Sequence, residues 1–319
     1  MQQSTIYKSK QFFTLVVKLF IVIGCGYFIY YKLFKNQQLQ FDAFFSNSVK
    51  NELFSIKNIT FLLILTAFNW FFEIKKWQVL VSYLKNISFF EAAKQSLASL
   101  TASLITPNRI GEYGAKALYF ESGDRKQILA LNLVGNLFQL LATIVFGIFG
   151  IIYFAFNFTL DKSLLNFMLV IGTLFIVLII AALLLKKLSY KGYSLQTFIQ
   201  YTKKTSKKSN LKVLILSFAR YSIFLHQFYF MLLLFNVEIQ YTEAIFSIFT
   251  MYLLASLIPM LSFFDVVVKS SAAILIFSYF NINEIAILST VMLMWIFNFV
   301  IPSIAGSYFV LTFKSVKLS

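Results

Sequence analysis

The stretch Ser103-Leu-Ile-Thr-Pro-Asn-Arg-Ile-Gly-Glu-Tyr-Gly-Ala-Lys116 breaks an apolar run with a proline, an arginine, a Glu–Lys pair and two glycines. Proline lacks an N–H and its ring clashes with the preceding turn, so a helix arriving through residues 88–105 must stop there. Asn108 is a favourable N-cap for a helix that restarts over residues 110–120. The second piece is too short to cross a bilayer. About twelve helical residues cover roughly 18 Å, against a hydrocarbon core of about 30 Å. The two pieces therefore read as a re-entrant hairpin or broken helix.

The same arrangement returns further along the chain. Residues 242–258 run into Pro259, and a second short apolar stretch follows at 266–280. Glu91-Ala92 and Glu243-Ala244 each open a stretch whose proline comes 16 residues after the Glu. Leu-Ala-Ser-Leu occurs at 97–100 and at 254–257, and Ser-Leu-Ile-Thr-Pro at 103–107 is answered by Ser-Leu-Ile-Pro at 256–259. Beyond the prolines, Glu112 and Lys116 stand four apart, as do Asp265 and Lys269.

Around the hairpins lie apolar runs of full helix length at 12–34, 59–84, 128–156, 164–185, 211–235 and 285–313. Of 319 residues 59% are hydrophobic and 13% charged, where a water-soluble chain carries about a quarter charged residues. With 11 glycines and 3 prolines and no alternating ten-residue segments, a β-barrel is excluded. The expected class is an all-α polytopic membrane protein forming one integral domain over residues 1–319, with about six spans and two re-entrant hairpins. The run at 12–34 is too long for a cleavable signal and reads as an uncleaved span.

The net charge of +16 would suggest nucleic acid in a soluble protein. Here the lysines gather at the ends of apolar runs, where they meet anionic headgroups and fix orientation. Between Lys186 and Lys212 there are eight lysines and no acid, which marks that loop as cytoplasmic. Residues 157–163 and 236–243 together hold one lysine against three acids and belong outside. Both termini are then expected in the cytoplasm. In this topology 59–156 (span, hairpin, span) and 211–313 are related by inversion, with 164–185 as the odd linking span. Inverted repeats with interrupted helices point to a midplane binding site in transporters.

Candidate headgroup-binding residues cluster on the first hairpin: Asn108, Arg109, Gly111, Glu112 and Lys116. Arg109 offers a fork matched to phosphate or carboxylate, and the restarting helix presents unpaired N–H groups to an anion. Gly111 and Gly114 leave room for close approach by a backbone or a lipid head. Glu112 and Lys116 equally suit mutual neutralisation, being in the favourable acid-before-base order. The second hairpin offers Asp265 and Lys269, with mutual neutralisation the stronger reading. Arg220 and His226 lie within the run 211–235; Arg220 can snorkel partway, and His226 suits either a satisfied buried group or a proton relay. Glu73, Lys75, Lys76 and Trp77 read as the cytoplasmic edge of their span. One Cys (Cys25) and one His give no metal cluster. No phosphate loop, catalytic triad order or zinc helix is present, so no catalytic residue and no cofactor is expected.

Thr106-Pro-Asn-Arg-Ile-Gly-Glu-Tyr-Gly-Ala-Lys-Ala-Leu118 resembles the Pro-x-x-x-Gly-Glu signature of the lysylphosphatidylglycerol synthase transmembrane region family, flippase-like proteins also found as the membrane half of the multiple peptide resistance factor. Trp77 also fits that pattern. The family's second motif, a proline, a glycine-rich turn and Arg-Glu, is reduced here to Pro259-Met-Leu-Ser-Phe-Phe-Asp265. The resemblance covers about 12–313 and implies lipid movement between leaflets or a membrane subunit serving lipid-linked glycan synthesis. Aminoacyl-transferase activity would need a following domain and is not expected. The expected function is a flippase-like transporter of an anionic or polyprenyl-phosphate lipid in the cell (cytoplasmic) inner membrane. A non-transporting scaffold for a glycosyltransferase and an intramembrane lipid-modifying enzyme using Glu112 or Asp265 stand as alternatives.

Overall fold

The computed structural model describes residues 55–104, 106, 109–158, 206–257 and 265–313, with isolated positions before residue 55. The expected spans 12–34 (bar isolated positions) and 164–185, together with Pro107, Asn108 and Pro259, lie outside the described residues.

Among the described residues the secondary structure is helical throughout. Helix α1 spans Ile56–Val81 and the hairpin α2–α3 spans Phe89–Leu104 and Ile110–Ala117; α4 follows at Arg125–Asn157. Then come α5 (Lys207–Leu234), the second hairpin α6–α7 (Tyr241–Leu257 and Asp265–Phe277) and α8. Helix α8 runs Glu284–Leu311 and contains a π-turn at Ile296–Val300. These bounds match the apolar runs to within a few residues. Their starts are fixed by small polar caps: Ser55 Oγ accepts from the Asn58 N–H, Ser206 Oγ from Ser209, and Asn283 Oδ1 from Ile285.

Helices α4, α5 and α8 are long and apolar enough to cross a membrane. Helix α1, 26 residues long, carries Asn69, Glu73, Lys75 and Lys76 and is not among them. On α4 the side chains of Leu133, Leu137, Leu141, Ile148, Ile152 and Phe156 are exposed along one side, an apolar surface of the kind that lipid covers.

Three helix pairs pack antiparallel. Helix α1 lies along α5, with Leu62 and Thr66 beside Gln227, and Glu73 beside Arg220. The first arm of each hairpin lies along the last helix of the opposite half: α2 on α8, and α6 on α4. Both contacts are made across glycine. A Cβ at Gly306 would strike the Leu97 carbonyl and Thr101 Oγ1; one at Gly150 would strike the Phe246 carbonyl and Thr250. Ring contacts of Phe146 with Phe249, and of Tyr153 with Phe246, continue the α4–α6 seam. With no water to exclude between helices, close backbone approach through small residues is what holds such interfaces together. Gly306→Ala is therefore expected to lower stability by about 1–3 kcal/mol through overpacking. Gly114→Ala, where the new methyl meets nothing within 4 Å, should cost nothing; thermal unfolding of the two variants in one detergent checks this.

Candidate functional site

The four long helices each carry a polar side chain within about two residues of their middle: Asn69, Gln139, Arg220 and Asn298. They are bonded to one another. Arg220 donates through Nε to Asn69 Oδ1 (2.9 Å) and through Nη1 to Gln139 Oε1 (3.5 Å). Asn69 Nδ2 donates to Asn298 Oδ1 at 2.5 Å, and Asn298 Nδ2 to Gln227 Oε1 at 2.9 Å. Gln227 in turn donates to Thr66 Oγ1. The π-turn makes room for this network: Asn298 sits inside it, and its carbonyl takes the Trp70 indole N–H at 3.2 Å. Extra-residue turns of this type recur at functional positions in helices.

Two groups of ions flank the network. Glu73 holds two cations, Lys76 at 2.6 Å and Arg220 at 2.7 Å. Glu112 likewise holds two, Lys116 at 2.9 Å and Arg109 at 3.3 Å. Lys116 is almost fully buried, donates to Asn132 Oδ1 at 2.7 Å, and lies 4.4 Å from the centre of the Trp77 ring. Trp77 completes its own needs by donating to Gln95 Oε1. Both clusters have the form Arg–Glu–Lys, with the lysine and carboxylate buried and the arginine partly exposed. On the second hairpin Lys269 pairs with Asp265 at 2.8 Å.

The exposed ends of these groups converge on one cavity of about 220 Å³, lined by Arg109, Arg220, Asp265, Lys269, Asn69, Asn298, Tyr221 and Ser256 among others. Phe299 stands in it between the hairpins, 5.6 Å from the Arg109 guanidinium and 5.3 Å from the Lys269 ammonium. Two buried donor atoms at this cavity, Arg109 Nε and Tyr221 Oη, have no partner among the described residues. Arg109 is also the only non-asparagine residue with positive φ (57°) among the described residues. The Cβ of an L-residue crowds the backbone carbonyl in this region at a cost of about 1–2 kcal/mol, and such strain concentrates at binding sites.

The sequence expectations are met unevenly. Arg109, Arg220, Asp265 and Lys269 come together at the cavity; Glu112 and Lys116 lie behind Arg109 as its buried support. The restarted helix begins at Ile110 as expected, but Arg109 and not Asn108 holds the capping position, and the Thr106 hydroxyl accepts the Gly111 N–H at 2.8 Å. Gly111 serves packing of the hairpin on itself, since a Cβ there would meet the Ala102 carbonyl. Arg220 does not snorkel outward but is drawn to Glu73. His226 stands apart: it is exposed and bonded to the Ser222 carbonyl and the Tyr241 hydroxyl. Glu73, Lys76 and Trp77, expected at the cytoplasmic edge of their span, are buried against neighbouring helices. Their signal was present as Thr66, Asn69, Glu73 and Lys76, a polar seam at helical spacing in an apolar helix.

Asn298→Leu is expected to unfold the protein more easily by about 1–3 kcal/mol for each amide left unmet. Asn69 Nδ2 loses its acceptor and Gln227 Oε1 its donor; a single melting experiment compared with Leu293→Ala separates lost hydrogen bonds from lost volume.

Apolar helices of membrane-spanning length, folded around buried ions and a cation-lined cavity, define a multi-pass membrane protein. Residues 15–306 match the family model described as lysylphosphatidylglycerol synthase TM region, and the chain belongs to that family. No curated protein and no solved structure matches it.

Proposed function

We propose that the protein moves an anionic or polyprenyl-phosphate-linked lipid between the leaflets of the cytoplasmic membrane. One observation carries the reading: Arg109, Arg220 and Lys269 border a single cavity built from the middles of the long helices and the tips of both hairpins. Ionisable side chains inside a bilayer are expensive, and those gathered at an internal cavity mark a functional site by default. The headgroup enters this cavity while its tails stay in lipid, and the head crosses as the two halves open in turn. Family membership supports a lipid-related role.

The same reading takes the two halves as an inverted repeat. Supporting it, Leu97 and Thr101, which contact Gly306, stand ten and six residues before Pro107; Phe249 and Leu253, which contact the 146–147 segment of α4, stand ten and six before Pro259. The polar pairs Asn69–Asn298 and Arg220–Gln139 are also exchanged when the halves are exchanged. The basic segment 186–212 and both termini are then cytoplasmic.

The test uses vesicles containing this chain alone, following headgroup accessibility of labelled anionic and zwitterionic lipids, with the lipids analysed afterwards. Faster crossing of unaltered anionic lipid than in protein-free vesicles supports transport. Altered lipid supports an intramembrane enzyme instead, and no crossing by folded protein rejects the proposal in favour of a scaffold for a lipid-glycan enzyme.

A further inference from the structure

Among the described residues, the ion pairs at the centre of the protein do not balance. They are made by five cations, Lys76, Arg109, Lys116, Arg220 and Lys269, against three carboxylates, Glu73, Glu112 and Asp265. The imbalance is distributed in a particular way. Asp265 and Lys269 neutralise one another. Each Arg–Glu–Lys cluster, in contrast, has one carboxylate shared by two cations, so each carries one positive charge in excess. In both clusters the lysine is within 3% of full burial, and the arginine is the exposed member. The two excess charges are therefore presented to the cavity by Arg109 and Arg220, from two different halves of the protein.

We infer that the headgroup recognised by this cavity is a dianionic phosphate, a phosphomonoester or a pyrophosphate, and not a singly charged phosphodiester. This rests on the transport reading and narrows its substrate class. A phosphomonoester carries about −1.5 to −2 charges at neutral pH and three strong acceptor oxygens, which matches two surplus guanidinium charges. The donors match as well. Arg109 Nε and Tyr221 Oη are buried at the cavity, and Arg220 commits Nε and Nη1 to Asn69, Glu73 and Gln139; neither those two atoms nor Arg220 Nη2 has a partner among the described residues. A planar guanidinium on either side suits a tetrahedral group with several equivalent oxygens better than a point charge would. A phosphodiester has fewer free oxygens and leaves one guanidinium charge unmet in a low-dielectric site, which is costly.

The inference is tested with the full chain in vesicles and three labelled probes sharing the same acyl tails: phosphatidic acid, phosphatidylglycerol and phosphatidylcholine. At pH 7.5 phosphatidic acid is expected to cross roughly tenfold or more faster than phosphatidylglycerol, given the strength of one extra unit charge at close range. The second ionisation of a phosphomonoester lies near pH 6, so the advantage should collapse toward the phosphatidylglycerol rate at pH 5, while the phosphatidylglycerol rate itself stays level. No histidine lines the cavity, so a loss confined to phosphatidic acid reports the ligand's charge. Equal acceleration of the two anionic lipids at pH 7.5 overturns the dianion assignment and leaves lipid transport standing. Failure of every probe to cross faster than in protein-free vesicles overturns transport itself. Escape of trapped inorganic phosphate through the protein would assign the cavity to a free anion and overturn a lipid source.

Discussion

Replacing Arg109 or Arg220 with alanine should reduce lipid translocation by about 100-fold or more without unfolding the protein. The two halves of this expectation have separate causes. Each arginine supplies one of the two positive charges that face the cavity, and charge-assisted bonds to a phosphate contribute about 1.5–3 kcal/mol each. Removing a guanidinium takes away more than one such bond together with its Coulomb attraction. The fold is spared because neither change strands a buried charge: Glu112 keeps Lys116 at 2.9 Å, and Glu73 keeps Lys76 at 2.6 Å. Transport in vesicles and thermal unfolding, measured on the same preparations, check both halves. Arg220→Ala should be the less stable of the two by about 1–3 kcal/mol, since it also leaves the buried Asn69 side-chain carbonyl, and Gln139, short of a donor.

The reverse change should have the reverse effect. Glu73→Ala is expected to destabilise the protein by about 3–5 kcal/mol, the usual consequence of removing one partner from a buried ion pair. It leaves the ammonium of Lys76 without the carboxylate it pairs with, and Lys76 is 2% exposed. Yield of monodisperse protein in mild detergent and its melting temperature report the loss. Adding Lys76→Met to Glu73→Ala should restore much of the stability, because the orphaned charge is then gone and methionine fills a similar volume. Asp265→Ala provides the contrast. Its side chain is 39% exposed, so water screens the Lys269 that remains and the cost should fall within the range for surface pairs, about 0–1 kcal/mol.

The helices were readable in the sequence because hydropathy and proline act locally. An apolar run of helix length has few alternatives in a chain this poor in charge, and a proline stops a helix whatever surrounds it. The ends of α1 and α4 accordingly fall within about three residues of the expected ones. Arg109, Asp265 and Lys269 were also legible, since ionisable residues just beyond a helix-breaking proline stand out in an apolar background. Their convergence with Arg220 was not, because it depends on how α5 rotates against α1, and nothing local fixes that angle. The weakness expected of the second hairpin, which lacks an arginine of its own, is answered by this same packing: Arg220 on α5 stands at the cavity beside Asp265 and Lys269.

The burial of Glu73, Lys76 and Trp77 is not legible in the sequence for a related reason. Charged and aromatic residues in the second half of a span most often mark its boundary with water, and window averages register how many there are but not which way they face. Their spacing from Thr66 and Asn69 was the available sign that they share one face. The amides Gln139, Gln227 and Asn298 left even less trace. Each is a lone polar residue in an apolar helix, and only the bonds among them give them a purpose. His226 shows the opposite case, a residue conspicuous in sequence whose place by Tyr241 keeps it away from the site.

The claim that the central cavity holds the headgroup can be tested directly by photo-crosslinking. A phospholipid carrying a photoreactive group on its headgroup is incorporated with the protein in vesicles, illuminated, and the adducts located by peptide sequencing. If the cavity is the site, adducts fall on Thr143, Tyr221 and Ser256, which line it, and disappear in the Arg109→Ala, Arg220→Ala double variant. Adducts confined to the outward-facing Phe156, Ile304 and Tyr308, unchanged in that variant, would contradict the account.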